Sequence, residues 1–164
     1  MNSTLSKVLR QTFQFAAVSL LFVGCGTTEP KPVAWNITIT KPAPIEVDLV
    51  AVTAREKPRF ESYSLDKYWS PNDEERKSAD KLTSEPTETW IITKKDPKWK
   101  SWMGRRVVGL FIVANLPGNF EGGADPRREY LPLDKNHWDA KKSTLEIEVK
   151  ENRILIRTPE KAVQ

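Results

Sequence analysis

The stretch Val107–Ala114 reads Val-Val-Gly-Leu-Phe-Ile-Val-Ala, eight residues without a charge. As a strand it spans at most about 28 Å, and it falls far short of the roughly 20 residues a membrane helix needs. An uninterrupted run of this length fits a central strand covered on both faces. Gly109 inside it marks a bulge or a close approach of neighbouring backbone. The rest of the chain must therefore supply flanking strands and two covering layers.

The flanking strands are legible from period-2 alternation. In residues 33–40, Val33, Trp35, Ile37 and Ile39 share one face. In 45–53, Ile45, Val47, Leu49 and Ala51 share one face, while Glu46 and Asp48 begin the other, which turns apolar at Val50 and Val52. A third strand is expected at 87–93 around Trp90, Ile91 and Ile92. A short edge strand is expected at 130–133, with Pro132 tolerated if its missing donor faces outward. Residues 143–149 and 153–158 read as a terminal hairpin. One helix is expected over 72–81, with Ser70 as cap and Pro71 at its first position. A second is expected over 96–103, with Asp96 as cap, Pro97 first, Gly104 as terminator, and Trp99, Trp102 and Met103 on one face. Residues 54–72 carry Phe60, Tyr63, Leu65, Tyr68 and Trp69, too many large side chains for a free loop. They are expected to fold over a sheet edge. The sum is a mainly β fold: a β-sandwich of six to eight mostly antiparallel strands with two short surface helices and no βαβ rhythm.

Ahead of this domain, Lys7 and Arg10 precede an apolar run from Phe13 to Val23, and Gly24-Cys25 follows. A basic start, a short apolar middle and a small residue before the cut make a secretory signal. Cys25 is the single cysteine of the 164 residues. This segment resembles the lipobox of bacterial lipoproteins, with Phe22 where the common form has leucine. The resemblance implies that the Cys25 thiol carries a diacylglyceryl group and becomes the mature N-terminus, anchoring the protein in a membrane by covalent lipid. Gly26, by the same resemblance, directs it to the outer membrane, on the periplasmic side of the bacterial envelope. The expected organisation is a signal over 1–24, an acylated cysteine and Pro-containing tether over 25–32, a sandwich over 33–158, and a frayed tail over 159–164. With Cys25 acylated no disulfide is available, so the domain is held by packing alone.

Removing 1–24 leaves 24 basic against 22 acidic residues. That near-balance, and the interruption of the basic stretch 94–106 by Asp96, Pro97 and two tryptophans, argue against a nucleic-acid partner. His137 is the lone histidine, which excludes a multi-histidine metal site. No Gly-x-Ser-x-Gly and no phosphate-binding loop occurs; residues 118–123 lack the Gly-Lys-Ser/Thr ending. The acidic pairs Glu74/Glu75 and Glu146/Glu148 read as solvated faces. The sequence therefore points to neither an enzyme nor a cofactor. Two remote acids that converge, as in glycosidases, are the catalytic arrangement left open.

The candidate binding residues are Tyr68, Trp69, Trp99, Trp102, Phe120, Arg127, Arg128 and Trp138. Trp35 and Trp90 sit in strand patterns and belong to the core. Loop aromatics beside Arg or Asn stack on sugars or anchor protein interfaces; equally, they roof the ends of a sandwich that has no disulfides. Arg127-Arg128 suits a phosphate or carboxylate, while the flanking Asp125 and Glu129 suit an internal ion network.

The lipobox, the short tether and a strand-rich domain of this size together resemble the small outer-membrane lipoproteins of type VI secretion systems. The echoes are Ile45-Glu-Val-Asp-Leu-Val-Ala-Val52 as an early strand leading to an aromatic segment, and Val107–Ala114 as a late central strand. The resemblance implies a β-sandwich that tethers an envelope protein through its loops. Residues 66–71 and 116–123 have no counterpart in that pattern, so no binding residue is carried over. The expected function is that of an assembly or scaffold component binding another envelope protein. A module binding glycan or peptidoglycan through loop tryptophans is the alternative.

Overall fold

The computed structural model describes residues 31–118, 120, 124–140 and 143–162. The signal and Cys25 lie outside the described residues. Two four-stranded sheets face each other. The first has the order β4-β1-β7-β8, from β1 (Asn36–Thr40), β4 (Thr89–Ile92), β7 (Thr144–Val149) and β8 (Ile154–Ile156). The second has the order β3-β2-β5-β6, from β2 (Val47–Thr53), β3 (Lys81–Thr83), β5 (Val107–Ala114) and β6 (Arg128–Pro132). All pairings are antiparallel except β1 with β7, which run parallel from Asn36 opposite Thr144 to Thr40 opposite Glu148. The inner faces meet in a core that includes Ile37, Ile39, Leu49, Leu110, Ile112, Leu131, Leu145 and Ile147. The β-sandwich with mostly antiparallel strands is thus the observed architecture.

The long apolar run of β5 has a second layer to explain it. Its alternate residues Phe111 and Val113, with Val50 and Val52 of β2, pack under Phe60, Leu65 and Tyr68 on the outer face of the second sheet. Those three come from α1 (Lys57–Glu61) and α2 (Leu65–Tyr68). The aromatic segment therefore covers a sheet face, not an edge, and it is helical where an irregular path was expected. The fold has four short helices among the described residues rather than two; α3 (Glu74–Ser78) and α4 (Pro97–Gly104) complete the set. None of them is long and apolar enough to cross a membrane.

Gly109 is a close approach. A Cβ there would overlap the ring and hydroxyl of Tyr130 on the neighbouring strand. The ladder also shifts register beside it, between Val52 and Thr53. Pro132 ends β6 at the sheet edge, as its missing donor requires.

Three expected boundaries move. The helix expected over 72–81 is only Glu74–Ser78, and Asp73 caps it by accepting from Arg76 N at 2.8 Å. Ser70 does not cap it: its hydroxyl donates to Lys67 O at 2.6 Å, and Asn72 turns the chain with φ 68°. The helix stops early because Lys81–Thr83 pairs with β2, setting Leu82 opposite Leu49. Helix propensities differ by at most about 0.7 kcal/mol per ordinary residue, and partial burial of one leucine contributes about 1 kcal/mol, so pairing wins. In the second helix Asp96 and Pro97 take their expected places, but Gly104 is the last helical residue and the left-handed turn falls on Arg106, φ 60°.

Both ends of the domain are also more engaged than the sequence suggested. Residues 33–35 lie before the β1 ladder; Val33 N donates to Leu133 O at 3.0 Å, Pro32 bridges Asp134, and Lys135 N donates to Lys31 O at 3.2 Å. The docked chain therefore begins inside the expected tether. The expected frayed tail is held through residue 161: Glu160 bridges Trp138, Asp139 N donates to Pro159 O at 2.9 Å, and Lys161 N donates to His137 O at 2.9 Å.

Candidate functional site

The eight candidate binding residues fall into three places. Trp99, Trp102 and Trp138 lie with Trp35 at the end of the sandwich where the tether docks. There they are buried. Each of three indoles has found a carbonyl: Trp99 Nε1 donates to Thr93 O at 3.1 Å, Trp138 to Pro132 O at 2.7 Å, and Trp35 to Leu133 O at 3.3 Å. Trp99 and Trp102 meet edge to face at 5.1 Å from α4 and plug the open end. Of the two readings of these rings, the roof holds, because a ring that stacks on sugar must present a free face and these present none. They roof the end of the sandwich.

Tyr68 and Trp69 belong to the covered outer face of the second sheet. Tyr68 is fully buried and donates to Asp48 Oδ2 at 2.8 Å. Burial, and then the Asp48 charge, push its phenol well above its ordinary range. Trp69 is half-buried, with the Arg76 guanidinium 4.1 Å above its ring.

Phe120, Arg127 and Arg128 are brought together at the end opposite the tether. Arg127 is buried, and its fork holds Asp125 at 2.7 Å and Asp66 at 2.6 Å. Its guanidinium lies 4.8 Å from the centre of the Phe120 ring. The internal ion network is therefore the observed state of Arg127, with Asp66 rather than Glu129 as second partner. Arg128 points the other way and donates to the carbonyls of Phe60 and Tyr63 at 3.0 and 2.8 Å, which ties β6 to the helical cover.

Beside this network is an open cleft of about 650 Å³ between β6 and β8, lined by Phe111, Arg128, Tyr130, Arg153, Leu155 and Glu61 among others. Glu129 also lines it, and burial raises its carboxyl above the ordinary range. An aromatic ring, an exposed arginine and an apolar floor are the side-chain types that dominate protein interfaces. Sequence reading missed Tyr130, Arg153 and Leu155, because the two edge strands that carry them meet only in the fold. Among the described residues no group of three metal-ligating side chains occurs.

Asp125 shows how the network responds to acid. Desolvation pushes its carboxyl up, but hydrogen bonds from the Arg127 side chain and backbone outweigh this and hold it below the ordinary range. Against desolvation, Asp80 is held low first by Lys98 and then by Arg105, and Glu56 first by hydrogen bonds from Thr53 and then by Arg105. A carboxylate with a lowered folded pKa contributes stability above its unfolded pKa and loses it as pH falls through the folded value. Urea midpoints should therefore stay level from neutral pH down to about pH 5 and fall between about pH 5 and pH 3. Arg127→Met should lower the midpoint at neutral pH and make the acid fall shallower. An unchanged acid slope in that variant would count against the Asp125 assignment.

No known protein family's pattern matches the chain, and no curated protein does. Among solved structures, the chain is similar to the T6SS lipoprotein TssJ1 from Pseudomonas aeruginosa, with TM-score 0.43 and 14% identity over 79% of this chain and 98% of that one. At that level no residue of one stands for a residue of the other.

Proposed function

We propose that this chain is a cell-envelope protein anchored by lipid at Cys25, whose sandwich binds another envelope protein as an assembly component. The observation that carries the reading is the opposed placement of tether and cleft. The chain enters the domain at Lys31, beside Lys135 and Asp134, and the cleft with Arg153 and Tyr130 opens toward the far end. A protein held to a surface at one end and open at the other is suited to bridging. The lipobox-like segment ending at Cys25 and the strand segments 45–52 and 107–114 lend support to an assembly of the type VI secretion kind on the outer membrane. The glycan alternative has lost its platform, since Trp99, Trp102 and Trp138 are buried.

The test is co-purification of the acylated protein from detergent-solubilised envelope, beside Cys25→Ser and Arg153→Glu forms. One membrane protein should co-purify with the native chain and with Cys25→Ser. Its yield should fall about tenfold with Arg153→Glu, as expected for a desolvated interface arginine. Cys25→Ser should abolish membrane retention without abolishing the contact. Recovery of cell-wall material alone, insensitive to Arg153, would overturn the reading.

A further inference from the structure

The interrupted basic stretch 94–106 is joined by Lys135 and Lys161 at the tether end. Lys94 and Lys95 follow β4, and Lys94 N donates to Asn36 Oδ1 at 2.9 Å, which sets them beside the start of β1. α4 comes next and presents Lys100 outward. Arg106 precedes β5, next to the strand end where Leu133 N donates to Val108 O at 3.0 Å. Lys94, Lys135 and Lys161 line one open concavity of about 430 Å³ floored by Trp35 and Trp138, with Asp139 as the acid in its wall. Lys98 and Arg105 are paired with Asp80 and Glu56. Lys94, Lys95, Lys100, Lys135 and Lys161 are exposed and hold no carboxylate among the described residues. At the far end Arg127 is enclosed by two aspartates, and Arg153 is the exposed cation of the cleft. The tether end thus presents five exposed lysines that hold no carboxylate among the described residues.

That face is also the one closest to the anchor. Lys31 and Pro32 are docked on Lys135 and Asp134, so only residues 26–30 separate the domain from Cys25. Such a segment reaches at most about 20 Å. Exposed lysines held this near a lipid surface feel the potential of anionic headgroups, which falls off within a Debye length of about 8 Å.

We infer that the tether end of the sandwich docks on an anionic lipid surface, with Lys94, Lys95, Lys135 and Lys161 against phosphate headgroups. The inference rests on the anchored reading above and deepens it. Docking this face fixes the orientation of the domain and turns the Arg153 cleft away from the membrane, toward a partner.

The test uses the full acylated protein in lipid nanodiscs of phosphatidylcholine, alone or with roughly a third phosphatidylglycerol. Intact mass reads the acyl group at Cys25, and amide exchange reads the docking. Amides in 93–106 and 133–140 should exchange about tenfold more slowly in the anionic discs at low salt, and the difference should vanish at high salt. The combined variant Lys94→Glu, Lys95→Glu, Lys135→Glu and Lys161→Glu should lose the difference while β2 and β5 stay protected, which shows that it folds. Equal exchange in both lipids, with the acyl group present, overturns the docking and leaves the anchor intact. A mass without the acyl group overturns the anchored arrangement and the docking with it. Equal protection by inorganic phosphate in neutral discs also overturns it, since the site would then be for a free anion.

Discussion

Asp48→Ala is expected to lower the unfolding free energy by about 3–5 kcal/mol, the usual result of removing one partner from a buried ion pair. Asp48 is fully buried on the outer face of β2, under the helical cover. Its carboxylate accepts from Tyr68 Oη at 2.8 Å, Arg76 Nε at 3.0 Å and Thr83 Oγ1 at 2.7 Å. Alanine would leave the Tyr68 hydroxyl buried with no acceptor and leave Arg76 with Glu46 alone. Tyr68 and Arg76 come from α2 and α3, so this one carboxylate pins both helices to the sheet. Arg76→Leu added to Asp48→Ala should cost much less than it does in the native background, because the guanidinium has already lost its buried partner. Urea titration of the four-member cycle measures both terms. A loss under about 1 kcal/mol for Asp48→Ala would mean that water satisfies the site and that the helical cover is held by packing alone.

Asp48 also shows where sequence reading stops. Alternation placed it on the face opposite Leu49, which is where it lies. Alternation does not tell whether that face meets water or a second layer. The signal for a second layer was the continuous run in β5, and that reading holds because Phe111 and Val113 are buried under Phe60 and Tyr68. The residues that supply the layer gave no helical period: Phe60, Leu65 and Tyr68 sit on two helices of five and four residues. Strands with one buried face, such as β1 and β7, were legible because Ile37, Ile39, Leu145 and Ile147 recur at period 2. Their parallel pairing was not, since it joins Asn36 to Thr144 across most of the chain.

The candidate site was legible in residue type and not in placement. Arg127 was singled out and does hold carboxylates, but its second partner, Asp66, lies 61 residues away and no spacing rule links them. The helix carrying Trp99 and Trp102 was legible, and it is α4; that these rings and Trp138 are buried was not. The indoles of Trp99, Trp138 and Trp35 donate to carbonyls, of Thr93, Pro132 and Leu133, that only the fold places. Charge was the reverse case. The stretch 94–106 was read as basic but interrupted, and its interruptions proved to be structural: Asp96 caps α4, and Trp99 and Trp102 point inward. What remains outward is the lysines.

Trp102→Ala is expected to destabilise the protein by about 3–5 kcal/mol. Trp102 is fully buried in the main core, packs edge to face on Trp99, and is among the largest fully buried side chains. No neighbouring strand can close over the space it fills, since it plugs the end of the sandwich between two sheets whose strands are fixed by their ladders. Its Nε1 is buried without a full hydrogen bond among the described residues, though Trp102 helps to lower the Asp80 carboxyl, and an unsatisfied donor costs about 1–3 kcal/mol. Trp102→Phe loses ring volume but also removes that donor, so it should cost under about 2 kcal/mol. The pair of variants separates volume from polarity, and denaturant midpoints at constant slope measure it. Equal large losses would mean that the indole N–H has a partner. The alanine variant should also weaken the salt-sensitive lipid protection of residues 93–106 at concentrations of urea that leave β5 intact, because α4 follows directly on Lys94 and Lys95 and carries the exposed Lys100. Trp99 and Trp102 seat the helix that follows Lys94 and Lys95, so the packing that closes the sandwich also bears on where those two lysines stand.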